Sequence, residues 1–145
     1  MTLAETAYGQ LRGTEIADGI IAWRGVPYAR PPAGERRLRP PQPPEPWSGV
    51  RDAATCGGRS LQPEPVPDPS LPPVSEDCLY LNVTAPAGAA GRPVLLWVHG
   101  GGYEMGDGLH QAGDGAAFAR THGIVVVTFN YRLGALGFLD VPGEQ

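Results

Sequence analysis

Residues 93–103 read PVLLWVHGGGY, an apolar run that leads into a histidine and three consecutive glycines. PVLLWV has the pattern of a strand buried on both faces. Glycine is disfavoured inside helices and strands by roughly 0.5–1 kcal/mol relative to alanine, so three in a row mark a point where bare backbone is needed. A second apolar run, IVVVTFN at 124–130, is richer in β-branched residues. Between them, within residues 113–121, AAFAR fits a short helix that ends before Gly123. Strand, helix, strand is the unit of an α/β sheet, and the crossover predicts that the two runs lie parallel.

Ligands in open α/β sheets sit outside the carboxyl ends of the strands, which is where His99, Gly100, Gly101 and Gly102 stand. Without a Cβ, glycine N–H groups can turn toward a cavity and stabilise negative charge developing on oxygen. An oxyanion hole is therefore the chemical reading of this loop. A flexible turn after a strand is the plain one.

Upstream, LYLNV (79–83) alternates as a strand, and YGQLR (8–12) and IIAWR (20–24) flank TEIADG as a hairpin or two short antiparallel strands. Fourteen of the 17 prolines fall between Pro27 and Pro73. Repeated Xaa-Pro steps exclude helix there and favour extended and turn conformations, so residues 25–53 read as an extended, turn-rich wrap and residues 60–74 as its second, irregular loop; a Pro-rich ligand for an SH3-type domain is the minor alternative for both. Two regions follow: residues 1–74, with N-terminal strands and Pro-rich loops, and residues 75–145, with the first strands of a central sheet. Only one helix is legible, so the apolar strands are expected to show uncovered faces and an unpaired edge, with poor solubility.

The chain has 145 residues, 41% of them hydrophobic and 18% charged, enough for a globular core. A net charge of −4 offers nucleic acid no electrostatic attraction. Cys56 and Cys78 lack CxxC spacing, no zinc-ligand pattern is present, and no metal or organic cofactor is implied. MTLAETAYGQLRG lacks the basic start and apolar run of a signal peptide, and no segment approaches eighteen apolar residues. The expectation is a soluble, cytoplasmic chain with no membrane partner.

WRGVPYARPPAGERRL (23–38), SEDCLYLNV (75–83), LLWVHGGGY (95–103) and NYRLGALGFL (130–139) occur in that order. They resemble FxGIPYAxPPxGxxRF, SEDCLYLNV, VWIHGGGF and NYRLGxLGFL of the type-B carboxylesterases, which include para-nitrobenzyl esterases and cholinesterases. The resemblance implies an α/β-hydrolase fold, of which this is an N-terminal part, and hydrolysis of carboxylic esters through a Ser-His-acid triad and an acyl-enzyme. It maps two oxyanion donors onto the N–H groups of Gly101 and Gly102; the third is the N–H after the nucleophile. GxSxG is absent from residues 1–145, and the family's acid and histidine follow the nucleophile in chain order.

The resemblance thus implies half of the machinery, inactive alone. Its rivals are a cholinesterase-like binding module and one half of a split esterase completed by a second chain. Ser48 and Ser75 read as turn or capping residues, His99 as a residue that shapes the loop, and His110 and His122 as surface positions. Arg37 and Glu76 match a structural ion pair, and Arg132 matches an arginine whose acidic partner lies beyond this sequence. The family's first disulfide would join Cys78 to a position near Ser60, not to Cys56, so no disulfide is expected.

Overall fold

The computed structural model describes residues 2–64, 68–109 and 115–140. Within them the chain forms β1 (Thr2–Thr6), β2 (Gly9–Ala17), β3 (Ile20–Pro27), β4 (Val50–Asp52), β5 (Arg59–Ser60), β6 (Val74–Ser75), β7 (Tyr80–Pro86), β8 (Val94–Trp97), α1 (Ala116–His122), β9 (Val125–Phe129) and α2 (Gly134–Phe138). The main sheet runs β1-β2-β3-β7-β9-β8, with β4 beside the first half of β2. Strands β5 and β6 form a separate parallel pair. Strands β8 and β9 are parallel, from Val94↔Val125 to Trp97↔Thr128, with α1 in the crossover. The fold is α/β, with an antiparallel N-terminal portion.

The hairpin is longer than the sequence reading gives. TEIA continues β2, and Asp18–Gly19 alone makes the turn into β3, with Gly19 at φ +66° and its N–H donating to Glu15 Oε1 at 3.0 Å. Asp-Gly suits a tight hairpin turn because the second residue takes positive φ without a Cβ penalty. The unforeseen β1 pairs with β2 over Thr2↔Gly13 to Thr6↔Gly9. Leu11, Val26 and Ala53 form a core under Trp23, Trp47 and Leu81. Burying a leucine as fully as Leu11 stabilises by roughly 1.5–3 kcal/mol.

The Pro-rich wrap is more ordered than an irregular coil: Gly34–Arg36 makes a 3-10 turn, and β4 and β5 are short pieces of sheet. Residues 65–67 of its second loop lie outside the described residues. Ala29, Cys78 and Leu79 pack with Tyr28 into a smaller cluster.

Strand β8 is not buried on both faces. Val94, Leu96 and Val98 are 63%, 56% and 60% exposed. Among the described residues β8 is the edge of the sheet, so no neighbouring strand covers it. Strand β9, by contrast, is paired on both sides, by β7 and β8.

Helix α1 ends as expected: Gly123 takes φ +64° and its N–H closes on the Ala119 carbonyl at 2.9 Å. Ala119 is fully buried, and a Cβ on Gly115 would lie 2.8 Å from Val126, which holds the helix start close against β9. The second helix, α2, was not legible because its five residues, GALGF, contain two glycines. No helix of the described residues is long and apolar enough to cross a membrane.

Candidate active site

The chain leaves β8 at Trp97 and passes through Val98 and His99 into the glycines. His99 is 2% exposed. Its ring stacks on Tyr131 at 4.2 Å between centroids, 13° from parallel, and its Nδ1 lies 2.9 Å from the Gly100 carbonyl oxygen. That contact requires Nδ1 to carry the proton. Nε2 is buried with no hydrogen-bond partner among the described residues, so the ring's polar contact runs through Nδ1 to the loop itself.

The glycines then do what other residues cannot. Gly101 has φ +125°, and a Cβ there would lie 1.9 Å from the Met105 carbonyl oxygen. Gly102 follows at φ +63° in open space. The Gly101 carbonyl accepts from the N–H groups of Glu104 (3.1 Å) and Met105 (3.2 Å), which folds residues 101–105 back on themselves. Gly134, at the start of α2, donates to the Tyr103 carbonyl at 2.7 Å. Among the described residues the Gly101 and Gly102 N–H groups have no acceptor.

Both glycines border an open cavity of about 600 Å³ lined with Val98, Tyr103, Phe129, Tyr131 and Phe138. It is an apolar recess with, at its rim, two donors that have no acceptor among the described residues. A larger cavity, about 720 Å³, lies elsewhere, over Asn82, Thr84, Val126 and Thr128. It holds Cys56 and Arg24 but no histidine among its lining residues, and the glycine loop does not border it.

Two neighbours in the NYRLG block hold the loop from below. Tyr131 donates its hydroxyl to the His99 carbonyl at 2.7 Å, and burial raises its pKa, which keeps the hydroxyl a donor. Asn130 accepts from the Gly108 N–H and donates to the Gly58 carbonyl, both at 2.9 Å, tying the loop to the wrap. Beneath them Arg59, 5% exposed, pairs with Glu64 and approaches Asp107 at 3.9 Å. Sequence reasoning quoted the NYRLG block but gave Asn130 and Tyr131 no role.

The other candidates fall away from the loop. Ser48 is an exposed turn residue before β4, and Ser75 accepts the Asp77 N–H at 3.0 Å, as a turn cap does. His122 is exposed at the end of α1, and His110 lies outside the described residues. Arg37 meets Glu76 at two points, through Nε at 2.5 Å and through Nη2, which joins the wrap to the segment before β7. This contact raises the Arg37 pKa and lowers that of Glu76.

Arg132 donates to the Arg39 carbonyl at 3.0 Å. Cys56 and Cys78 are both free, and burial raises both thiol pKa values, so neither is an activated nucleophile. Among the described residues no cluster of three His, Cys, Asp or Glu is placed to hold a metal ion.

Residues 1–145 match the model of the carboxylesterase family. The chain is 43% identical to the Bacillus subtilis para-nitrobenzyl esterase over 143 residues, 96% of this chain and 29% of the relative. It is 45% identical to the phenmedipham hydrolase of Pseudarthrobacter oxydans over 150 residues, 99% of this chain and 30% of that one. Its fold superposes on the crystal structure of a Geobacillus stearothermophilus carboxylesterase with a TM-score of 0.85 at 48% identity, covering 96% of this chain and 28% of the other. The chain therefore spans less than a third of the length of these relatives. On its sequence and on its α/β-hydrolase fold alike, the chain belongs to the carboxylesterase family.

Proposed function

We propose that this chain supplies the oxyanion-binding loop of a carboxylic-ester hydrolase, with Gly101 and Gly102 as the backbone donors. The observation that carries this reading is the pair of N–H groups without acceptors among the described residues, at the rim of an apolar recess and held on a folded-back loop. When a nucleophile attacks an ester carbonyl, the C=O π electrons move onto oxygen. Donors already aimed at that oxygen stabilise the tetrahedral intermediate without reorganising. The intermediate then collapses, the alcohol leaves with a proton from the general acid, and water hydrolyses the acyl-enzyme by the same route.

Nucleophile, base and acid come from outside these residues, since no GxSxG occurs in them. By family they are a serine, a histidine and an acid, carried on further chain or on a second chain that completes the sheet beside β8. The apolar lining of the recess suits esters with an apolar acyl or alcohol group. The two free thiols accord with a cytoplasmic setting.

A direct test compares two proteins on p-nitrophenyl butyrate. The isolated 145-residue chain is expected to show no turnover above buffer. A chimaera in which residues 1–145 replace the matching segment of the Bacillus subtilis para-nitrobenzyl esterase is expected to hydrolyse it. Turnover by the isolated chain that survives re-purification overturns the division of labour, and a folded but inert chimaera overturns the role of the loop.

A further inference from the structure

The far end of the glycine loop is held by a residue of the Pro-rich wrap. Gln62 faces Gly106, 44 positions away, with both ends of its carboxamide. The Gly106 N–H donates to Gln62 Oε1 at 2.8 Å, and Gln62 Nε2 donates to the Gly106 carbonyl at 3.0 Å. The same Nε2 donates to the Ser60 carbonyl at 3.1 Å, which fixes the side chain to its own backbone. A primary amide matches a peptide group donor for acceptor, so Gln62 stands in for the neighbouring strand that this loop lacks.

What Gly106 touches gives this pairing its meaning. Gly106 has φ +110°, and a Cβ on it would lie 2.4 Å from the Gly100 carbonyl oxygen and 2.6 Å from His99 Nδ1. The end of the loop thus packs on its beginning. Tyr131 holds that beginning by its ring stack and its hydroxyl, and Ser60, two residues before Gln62, donates its hydroxyl to the Tyr131 carbonyl at 2.5 Å. Residues 100–105 are bracketed between two polar fastenings, both tied to the same stretch of wrap.

We propose that Gln62 is a positioning residue of the oxyanion loop, which clamps Gly106 and thereby fixes the direction of the Gly101 and Gly102 N–H groups. The proposal rests on the reading of those two glycines as oxyanion donors. Gln62 touches no substrate; it acts through Gly106. Glutamate retains only the acceptor of the clamp, and alanine retains neither half.

The test is amide 15N relaxation dispersion on the 145-residue chain, which reads microsecond-to-millisecond motion residue by residue. Gln62→Ala is expected to raise the exchange contribution at Gly101, Gly102 and Gly106 at least threefold, with Leu11 and Ile21 in β2 and β3 unchanged. Gln62→Glu is expected to fall between alanine and wild type. Unchanged relaxation at Gly101 and Gly102 in a folded Gln62→Ala protein overturns the proposal. Collapse of the Leu11 and Ile21 signals in both variants also overturns it, because Gln62 would then serve the whole fold. A loop that loosens as expected, beside a chimaera indifferent to its glycines, would keep the clamp and remove the oxyanion reading.

Discussion

The hairpin β2–β3 and the parallel pair β8–β9 are both apolar stretches of sheet, but they end up in different surroundings. Ile20, Ile21, Ala22 and Leu11 are each less than 5% exposed, whereas Val94, Leu96 and Val98 on or beside β8 are more than half exposed. Within the first region Leu11 and Val26 pack with Ala53, Trp23, Trp47 and Leu81, and α1 also touches β3. In the second, α1 reaches β9 as it does β7 and β3, while β8 has nothing beyond its outer edge among the described residues. Order at the glycine loop, which grows from the less covered region, therefore rests on polar fastenings from Tyr131, Asn130 and the wrap more than on apolar burial.

The sharpest way to break that contrast is at the buried cation that ties the wrap to the glycine loop. Arg59→Ala removes the buried cation that pairs with Glu64 and approaches Asp107, and removing one partner of a buried ionic group costs about 3–5 kcal/mol. The expected result is loss of a cooperative urea transition in the isolated chain. A midpoint close to wild type would show that the wrap and the loop are not coupled through this cluster.

Leucine truncations read the contrast directly. Leu11→Ala is expected to cost about 2–5 kcal/mol by urea denaturation, as buried leucines do, while Leu96→Ala should fall within about 0.5 kcal/mol of wild type. Equal costs would mean that β8 is covered in solution. Leu96→Lys should also shift sedimentation toward monomer without lowering the midpoint, because a charge on an open edge opposes strand-to-strand association.

The smallest effect belongs to Arg37 and Glu76, where Arg37 is largely exposed and salt screens the pair. Contact with Arg37 lowers the Glu76 pKa, so its contribution to stability is present above the unfolded carboxyl value. It is lost as pH falls through the lower folded value. The stability difference between wild type and Glu76→Gln should therefore be seen at pH 7, shrink once pH drops below the ordinary carboxyl value, and vanish below the lowered folded value. A difference that persists in acid would point to the packing of Glu76 and not to its charge.

How much was legible in the sequence follows the same division. Parallel β8 and β9, the helix between them and the glycines after β8 are local patterns of apolar period and bare backbone, and they could be read directly. The full extent of β2 is not legible because the polar residues of TEIA hide a strand that only pairing reveals, although Asp18–Gly19 carries the turn. PVLLWV has the pattern of a doubly buried strand because an apolar run states what a strand can bury and not what is there to cover it; the single legible helix points instead to the uncovered faces and open edge that β8 shows. Gln62 had no local signal, since its role depends on a contact across 44 residues.

The most direct test of the account is kcat for p-nitrophenyl butyrate in the chimaera with Gly101→Ala, whose Cβ has no room beside the Met105 carbonyl. If the Gly101 N–H stabilises the oxyanion, kcat should fall about 10²–10³-fold, as on loss of one donor, with KM little changed and the fold intact by circular dichroism. An unchanged kcat in the folded variant would contradict the account and return the three glycines to the role of a turn.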